Sequence, residues 1–351
     1  MSKLGRCAPR LASAGLGQRN LPVRAQGWMP MKSQEWGPAT AEGTRGPDDA
    51  LALELVRITE AAALAAGRWA GHRDNSAELA AIDAMHSSLR SVAMDGVVVL
   101  GVGSRGESPA LFHGAEAGTG EGPVCDIALS IGDGALSEAR DVPRSLTAIA
   151  VSERGAMFAP SPQQTMEKLA VGPEFADVVD ITRPVAENLW MIAGAKGVRV
   201  SDVVVATLNR PRHVELAREI QDAGARVHLL EGGEVAGAVA AARPEHPADL
   251  FLCTGNAVEG VIAAAALSCL GGSMQARLAP EDPARQATRV LHTDDLVGKG
   301  SVVFCASGVT SSELLRGIRN DGAGCTTTRS LVLCSNPDTV RTIQSEHRYV
   351  R

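Results

Sequence analysis

Two short apolar runs, residues 97–100 (VVVL) and 125–129 (CDIAL), each lead into a glycine-rich turn, at 101–106 (GVGSRG) and 131–134 (IGDG). A strand that ends in such a turn leaves backbone N–H groups free at the edge of a rigid sheet. α/β proteins place binding and catalytic groups there. The first turn spells Gly101-x-Gly103-x-x-Gly106. A dinucleotide site needs a helix to start at that point and offer its N-terminus to a pyrophosphate. Here Glu107-Ser108-Pro109 follows, and a proline disfavours helix at the residue before it. The dinucleotide reading is therefore disfavoured.

The remaining pattern extends the sheet. Apolar residues recur at helical spacing over 49–69, with Asp48 or Asp49 as cap, and over 77–92, with Ser76 as cap. Residues 145–151 and 155–158 are expected as strands joined by a hairpin turn. Beyond Pro184 helical and apolar runs alternate: helix 185–193, strand 203–208, a helix ending at Gly224, strand 226–230, helix 235–242, strand 249–253 and helix 257–270. Such alternation predicts a parallel α/β sheet. Strand 302–307, a helix at 311–318 and a last strand at 330–334 complete the expectation. The chain divides accordingly into an extension at 1–48, a first lobe at 49–184 and a second α/β lobe at 185–351.

Composition excludes several classes. The net charge of −6 is spread along the chain, unlike a nucleic-acid footprint. No apolar run approaches the ~20 residues of a membrane span. The 7 cysteines are widely spaced without a CxxC pair, which argues against a disulfide framework or zinc cluster and for a reducing compartment. Cys125, Cys253, Cys305 and Cys334 lie in apolar runs and are expected in the core. Residues 1–48 are basic and acid-poor before Glu35. A disordered or wrongly started extension is expected there, with a cytoplasmic protein; an organelle transit peptide is the alternative.

Four strand-end clusters carry the chemistry. Arg210 and Arg212, in Asn209-Arg-Pro-Arg-His213, suit a phosphate dianion through charge-assisted bonds. His213 is expected at the surface or behind the site. The stretch 254–260 (TGNAVEG) opens a helix whose N–H groups can hold an anion, with Glu259 either favouring the helix dipole or ligating a metal. Glu231 and Glu234 follow another strand, as sugar contacts or as turn residues. Asp133, between two glycines, would meet a cation or phosphate, or else bond its own backbone.

Taken together, the segments LVRITEAAALAAGRWAG, MDGVVVLG, RGAMF, MEKLAVGPE, RPRH, EGVIAAAALSCLGG, TDDLV, SGVTSSELLRGIR and TIQSEHR resemble the class II fructose-1,6-bisphosphatases from about Ala50 to Tyr349, most closely actinobacterial members. The resemblance implies the layered α/β sugar-phosphatase fold shared with inositol monophosphatases, with two sheet-containing lobes. It implies Mn²⁺- or Mg²⁺-dependent hydrolysis of a sugar phosphomonoester in gluconeogenesis, and a homo-oligomer, dimer or tetramer. Metal positions map onto Glu78, Asp133 and Glu259. Substrate positions map onto Asp133, Gly134, Thr165, Arg210, Pro211, Arg212, Glu234 and Asn256.

Against the family pattern several donors are replaced. Val102 and Ser130 stand where the family carries a metal-binding Glu and Asp, Ser104 and Gly106 replace further acids, and Ala135 replaces the Thr that orients water. Arg105 adds positive charge beside them. Thr165 replaces a Tyr and Asn256 a Gly. Hard cations want several charged oxygen ligands. The expected function is therefore a sugar-phosphate phosphatase with weak or altered turnover. The alternative is an inactive phosphosugar-binding protein, acting alone or as partner of an active paralogue. A phosphosugar isomerisation with Glu107 or Asp126 as base is the third reading.

Overall fold

The structure, a computed structural model, describes residues 46–69, 76–102, 111–132, 145–161, 163–279, 289–322 and 324–348. The extension up to residue 45, Asp133, Gly134 and Glu107 lie outside them.

Two helices come first, α1 (Asp49–Gly67) and α2 (Ser76–Leu89), followed by strands β1 (Asp95–Leu100), β2 (Glu116–Ala117), β3 (Val124–Ile131), β4 (Leu146–Glu153) and β5 (Thr165–Val171). Asp48 caps α1, its carboxylate accepting from the Ala50 N–H at 2.9 Å. The middle of the chain alternates: α3 (Val185–Lys196), β6 (Val204–Leu208), α4 (Val214–Asp222), β7 (Arg226–Leu230), α5 (Glu234–Ala241), β8 (Leu250–Asn256) and α6 (Ala257–Cys269). Then come β9 (Ser273–Leu278), β10 (Val290–His292), α7 (Thr293–Val297), β11 (Val302–Gly308), β12 (Arg319–Asn320), β13 (Cys325–Ser335) and β14 (Asp338–Arg348).

The strands form an eight-stranded sheet, ordered β12-β13-β11-β4-β3-β1-β2 with β14 on the free side of β13, and a six-stranded sheet, ordered β10-β9-β5-β8-β6-β7. Three hydrophobic layers follow. α1 and α2 pack on one face of the large sheet, through Leu55, Ile58 and Met85 against Ile127, Ile149 and Val303. α5 and α6 lie between the sheets, with Val235, Ile262 and Leu267 meeting Phe304 and Leu331 on one side and Met166 and Phe251 on the other. α3 and α4 cover the outer face of the small sheet through Leu189, Ile192 and Ile220. The sequence of α6, AVEGVIAAAALSC, is apolar on all sides because both faces are buried. Its small side chains let two sheets approach one helix. Among the described residues no helix is long and apolar enough to cross a membrane.

The structure departs from expectation in four places. The sheets do not divide at residue 184: β5 joins the small sheet, and β11 to β14 return to the large one. The parallel expectation holds for β6 with β7 and β8, whereas β5 pairs antiparallel with β8 and β9, and β10 with β9. Residues 155–158 form no strand. Their backbone N–H groups turn to Asp126 Oδ2, from Gly155 at 2.8 Å and from Met157 at 3.2 Å. Residues 311–318 form no helix. The chain there folds back so that Ile318 N donates to Val309 O and Ser312 N to Leu315 O. A side chain at Gly317 would meet the Thr310 backbone at 2.5 Å, so this reversal depends on the glycine.

All four cysteines expected in the core are buried, and none of them is in a disulfide. Burial pushes the Cys125 and Cys305 thiols up to about 12, so both are inert as nucleophiles.

Candidate phosphosugar site

β6, β7 and β8 run parallel, and Leu208 pairs with Leu230 at the end of the first two. The turns that follow them therefore emerge at one edge of the small sheet. β5 runs the other way, and its first residue, Thr165, is opposite Asn256 at the end of β8. Thr165, Arg210, Arg212, Glu234 and Asn256 thereby line one cavity of about 410 Å³, together with Gly233 and Gly255 among others. Pro211 opens the short helical turn that carries Arg212. Six of the eight substrate positions mapped from the sequence thus come to one groove or its rim. Asp133 and Gly134 lie outside the described residues.

The two guanidinium groups are held mainly by backbone carbonyls. Arg212 Nε donates to Thr254 O at 2.7 Å, while Arg210 donates to Asn209 O at 3.1 Å and Glu231 O at 3.3 Å. Glu231 is itself bonded by Asn209 Nδ2 at 2.6 Å, so it ties two turns together. Carbonyl anchors orient guanidinium groups without cancelling their charge. The groove keeps a fixed positive wall suited to a phosphate dianion.

Beneath that wall lies a buried ion pair. Lys168 is 1% exposed and donates from Nζ to Glu234 Oε2. Glu234 Oε1 accepts from Asn256 N at 3.1 Å and lies 3.8 Å from Arg212 Nη2. Two glycines make room. A Cβ at Gly255 would meet Glu234 Oε1 at 1.6 Å, and one at Gly260 would meet Lys168 Cε at 2.7 Å. Lys168 was not singled out from the sequence. Its signal was a lysine at the alternating positions it shares with Met166 and Ala170, which a buried partner alone accommodates.

His213 is buried rather than at the surface. Its Nε2 accepts from Thr254 N at 2.9 Å, and its Nδ1 lies 3.2 Å from Leu208 O. The neutral tautomer carrying the proton on Nδ1 satisfies both contacts. Burial first, and then the neighbouring Arg212 charge, push its pKa down. His213 thus staples the ends of β6 and β8 under the arginine turn.

Of the positions mapped to metal, Glu259 lies on α6. Asn256 caps that helix, Oδ1 accepting from Val258 N at 2.8 Å. Glu259 follows in its first turn, about 4.5 Å further along the axis at 1.5 Å per residue. Its Oε1 accepts from Ser130 Oγ at 2.9 Å, across from the end of β3. Val102 packs against the apolar layer around α1 and α2. Glu78 is half-buried in the first turn of α2. Among the described residues no three His, Cys, Asp or Glu side chains are grouped to hold a metal ion. A valine in the hydrophobic layer and a serine hydroxyl bonded to the remaining glutamate do not fit a pair of divalent cations, which need clustered carboxylate oxygens.

Asp126, considered above as a base, is instead structural. Its carboxylate receives the Gly155 and Met157 N–H groups and lies 3.5 Å from Arg154.

Helix-covered sheets stacked about a buried helical layer, with arginines at the strand ends of one sheet and a glutamate at a helix start between both, define a layered sugar-phosphatase architecture. A family model described as bacterial fructose-1,6-bisphosphatase, glpX-encoded, matches residues 49–347. The chain is 36% identical over 321 residues to the class 2 fructose-1,6-bisphosphatase of Haemophilus influenzae, covering 85% of this chain and 96% of that protein. It is 35% identical over 320 residues to fructose-1,6-bisphosphatase 1 class 2 of Escherichia coli K12, covering 85% and 95%. The chain belongs to the class 2 fructose-1,6-bisphosphatase family.

Proposed function

We propose that this chain is a sugar-phosphate phosphatase of the class 2 fructose-1,6-bisphosphatase type, with its phosphosugar groove kept and its turnover far below that of a member carrying the full carboxylate set. One observation carries the reading: Arg210, Arg212, Glu234, Asn256 and Thr165 converge on a single cavity at the sheet edge. Arg210 and Arg212 hold one phosphate of a sugar bisphosphate such as fructose 1,6-bisphosphate. Asn256 and Thr165 face the sugar, and Glu234 fixes Arg212 and the Asn256 backbone from below. The scissile phosphomonoester points along α6 toward Glu259 and Ser130. In class 2 fructose-1,6-bisphosphatases a divalent cation supplies charge neutralisation at that phosphate. Here that clamp is reduced.

A second reading, a phosphosugar-binding protein without turnover, is favoured by the Ser130–Glu259 hydrogen bond, which occupies an oxygen that a cation would use. Phosphate release from fructose 1,6-bisphosphate, with Mn²⁺ or Mg²⁺ titrated to millimolar, separates the two. Metal-dependent release by the wild type, abolished by Glu259→Ala, supports the phosphatase. Calorimetric binding of the sugar bisphosphate without release, with release gained in the double variant Val102→Glu, Ser130→Asp, supports the binding protein. Absence of both binding and release overturns both readings.

A further inference from the structure

A second basic cavity lies at the other end of the large sheet, away from the arginine turn of the small one. It has a volume of about 230 Å³ and is lined by Arg316, Arg319, Arg329, Asn320, Thr327 and Gln344 among others. Its walls come from three elements held in register: Arg319 of β12 pairs with Thr327 of β13, and Arg329 of β13 pairs with Gln344 of β14. Along β13, residues 326, 328 and 330 are buried, whereas Thr327 and Arg329 are half-exposed. Strand alternation thus puts Thr327 and Arg329 on one face. Arg316 is brought there by the reversal at 309–318, where Gly308 packs on the Arg316 carbonyl and Ile318 N bonds to Val309 O.

The arginines here differ from most of the others. Nearly every described arginine side chain has a carboxylate, hydroxyl or carbonyl partner, as with Arg57, Arg154, Arg277 and Arg341. Arg316, Arg319 and Arg329 have none among the described residues. The nearby acids are engaged: Asp321, which lines the cavity, accepts from Cys325 N, and Glu346, opposite Thr327, pairs with Arg348. Three guanidinium groups at one cavity outnumber the single carboxylate that lines it, Asp321, and an anion offsets the net positive charge that is left. The neighbouring amide and hydroxyl groups of Asn320, Gln344 and Thr327 can bond the oxygens that the arginines leave.

We propose that this cavity is a second anion site, separate from the phosphosugar groove, that takes a phosphate group. Its volume lies below the 300–1,000 Å³ usual for whole cofactor-sized ligands. It therefore suits inorganic phosphate or pyrophosphate, or the phosphate end of a small metabolite whose remainder stays outside. Ser145 N donates to Thr310 Oγ1 at 2.8 Å, and Val309 and Thr310 donate back to Ser145 O. The reversal carrying Arg316 is thus tied to the start of β4.

The test uses the full chain with Arg210→Ala and Arg212→Ala introduced to silence the groove, titrated calorimetrically with inorganic pyrophosphate at fixed ionic strength. Saturable binding is expected to persist in that background and to weaken at least tenfold on adding Arg319→Gln, and likewise Arg329→Gln. Each added variant must keep the ligand-free melting temperature of its parent; should one not, Arg316→Gln takes its place. A parallel titration with a nucleoside monophosphate distinguishes a free phosphate from a metabolite tail, the tighter ligand identifying the source. No saturable pyrophosphate binding in the groove-silenced chain, or binding indifferent to the three arginines, overturns the proposal.

Discussion

Ser130 Oγ donates to Glu259 Oε1 at 2.9 Å, joining the end of β3 to the first turn of α6. The contact links the two sides of the phosphatase half of the site. Ser130→Asp would place a second carboxylate against Glu259. Like charges at that separation disfavour double ionisation. In chelator the variant should lose about 1–3 kcal/mol, the order of a broken hydrogen bond to a charged group. Millimolar Mn²⁺ should return most of that loss in thermal unfolding, while the wild type gains less. A melting temperature equally indifferent to Mn²⁺ in both chains would show that the position no longer faces a cation site.

Arg212→Ala should weaken sugar-bisphosphate binding by about 10- to 100-fold, the equivalent of one or two charge-assisted hydrogen bonds. Arg210→Ala should fall in the same range. Arg212→Lys should rescue little, because an ammonium cannot both bond Thr254 O and grip a phosphate as a fork. Isothermal calorimetry checks the order. A Lys variant binding like wild type would show that only net charge is read.

The Lys168–Glu234 pair should behave as a buried unit. Lys168→Met leaves Glu234 uncompensated and should cost about 3–5 kcal/mol in denaturant unfolding. Adding Glu234→Leu should recover much of the stability without recovering phosphosugar affinity, since Arg212 and the Asn256 backbone lose their anchor. If the double variant is no more stable than the single one, the pair is not the coupled unit described here.

The strand-end arginines were legible from sequence because an Arg-Pro-Arg turn after an apolar run leaves few other positions for it. So was α6, whose apolar length demanded burial. Lys168 was not, because its partner Glu234 lies at the start of α5, sixty-six positions away, and neither residue alone announces a pair. β14 also escaped. Its only aliphatic residues are Val340 and Ile343, and one face stays exposed along its length, so its pairing is set by β13 rather than by its own pattern. The helix expected at 311–318 failed for a related reason: its apolar residues do pack, Leu314 and Leu315 against the layer between the sheets and Ile318 against the layer of α1 and α2, but Gly317 must sit against the Thr310 backbone, a contact that composition does not encode.

The His213 staple gives the fold a pH dependence of defined sign. Its ordinary pKa is 6.5, and burial lowers it in the folded chain. The unfolded chain therefore binds the proton first as pH falls. The stabilisation from neutral His213 is fully present above pH 6.5 and is lost as pH drops through that value toward the folded pKa. His246, also lowered by burial, acts in the same direction. Thermal stability should decline from pH 7 to pH 5, before most carboxylates protonate. His213→Gln keeps an acceptor for Thr254 N but cannot titrate. It should flatten that decline, leaving the share due to His246, at some cost in stability at pH 7.5. Phosphosugar affinity should also fall over the same interval in the wild type, because a protonated Nε2 no longer accepts from Thr254 N and donates instead to Thr254 O, 3.1 Å away, competing with Arg212 Nε for that carbonyl. An unchanged pH profile in His213→Gln would remove the histidine from this account and assign the slope to other groups.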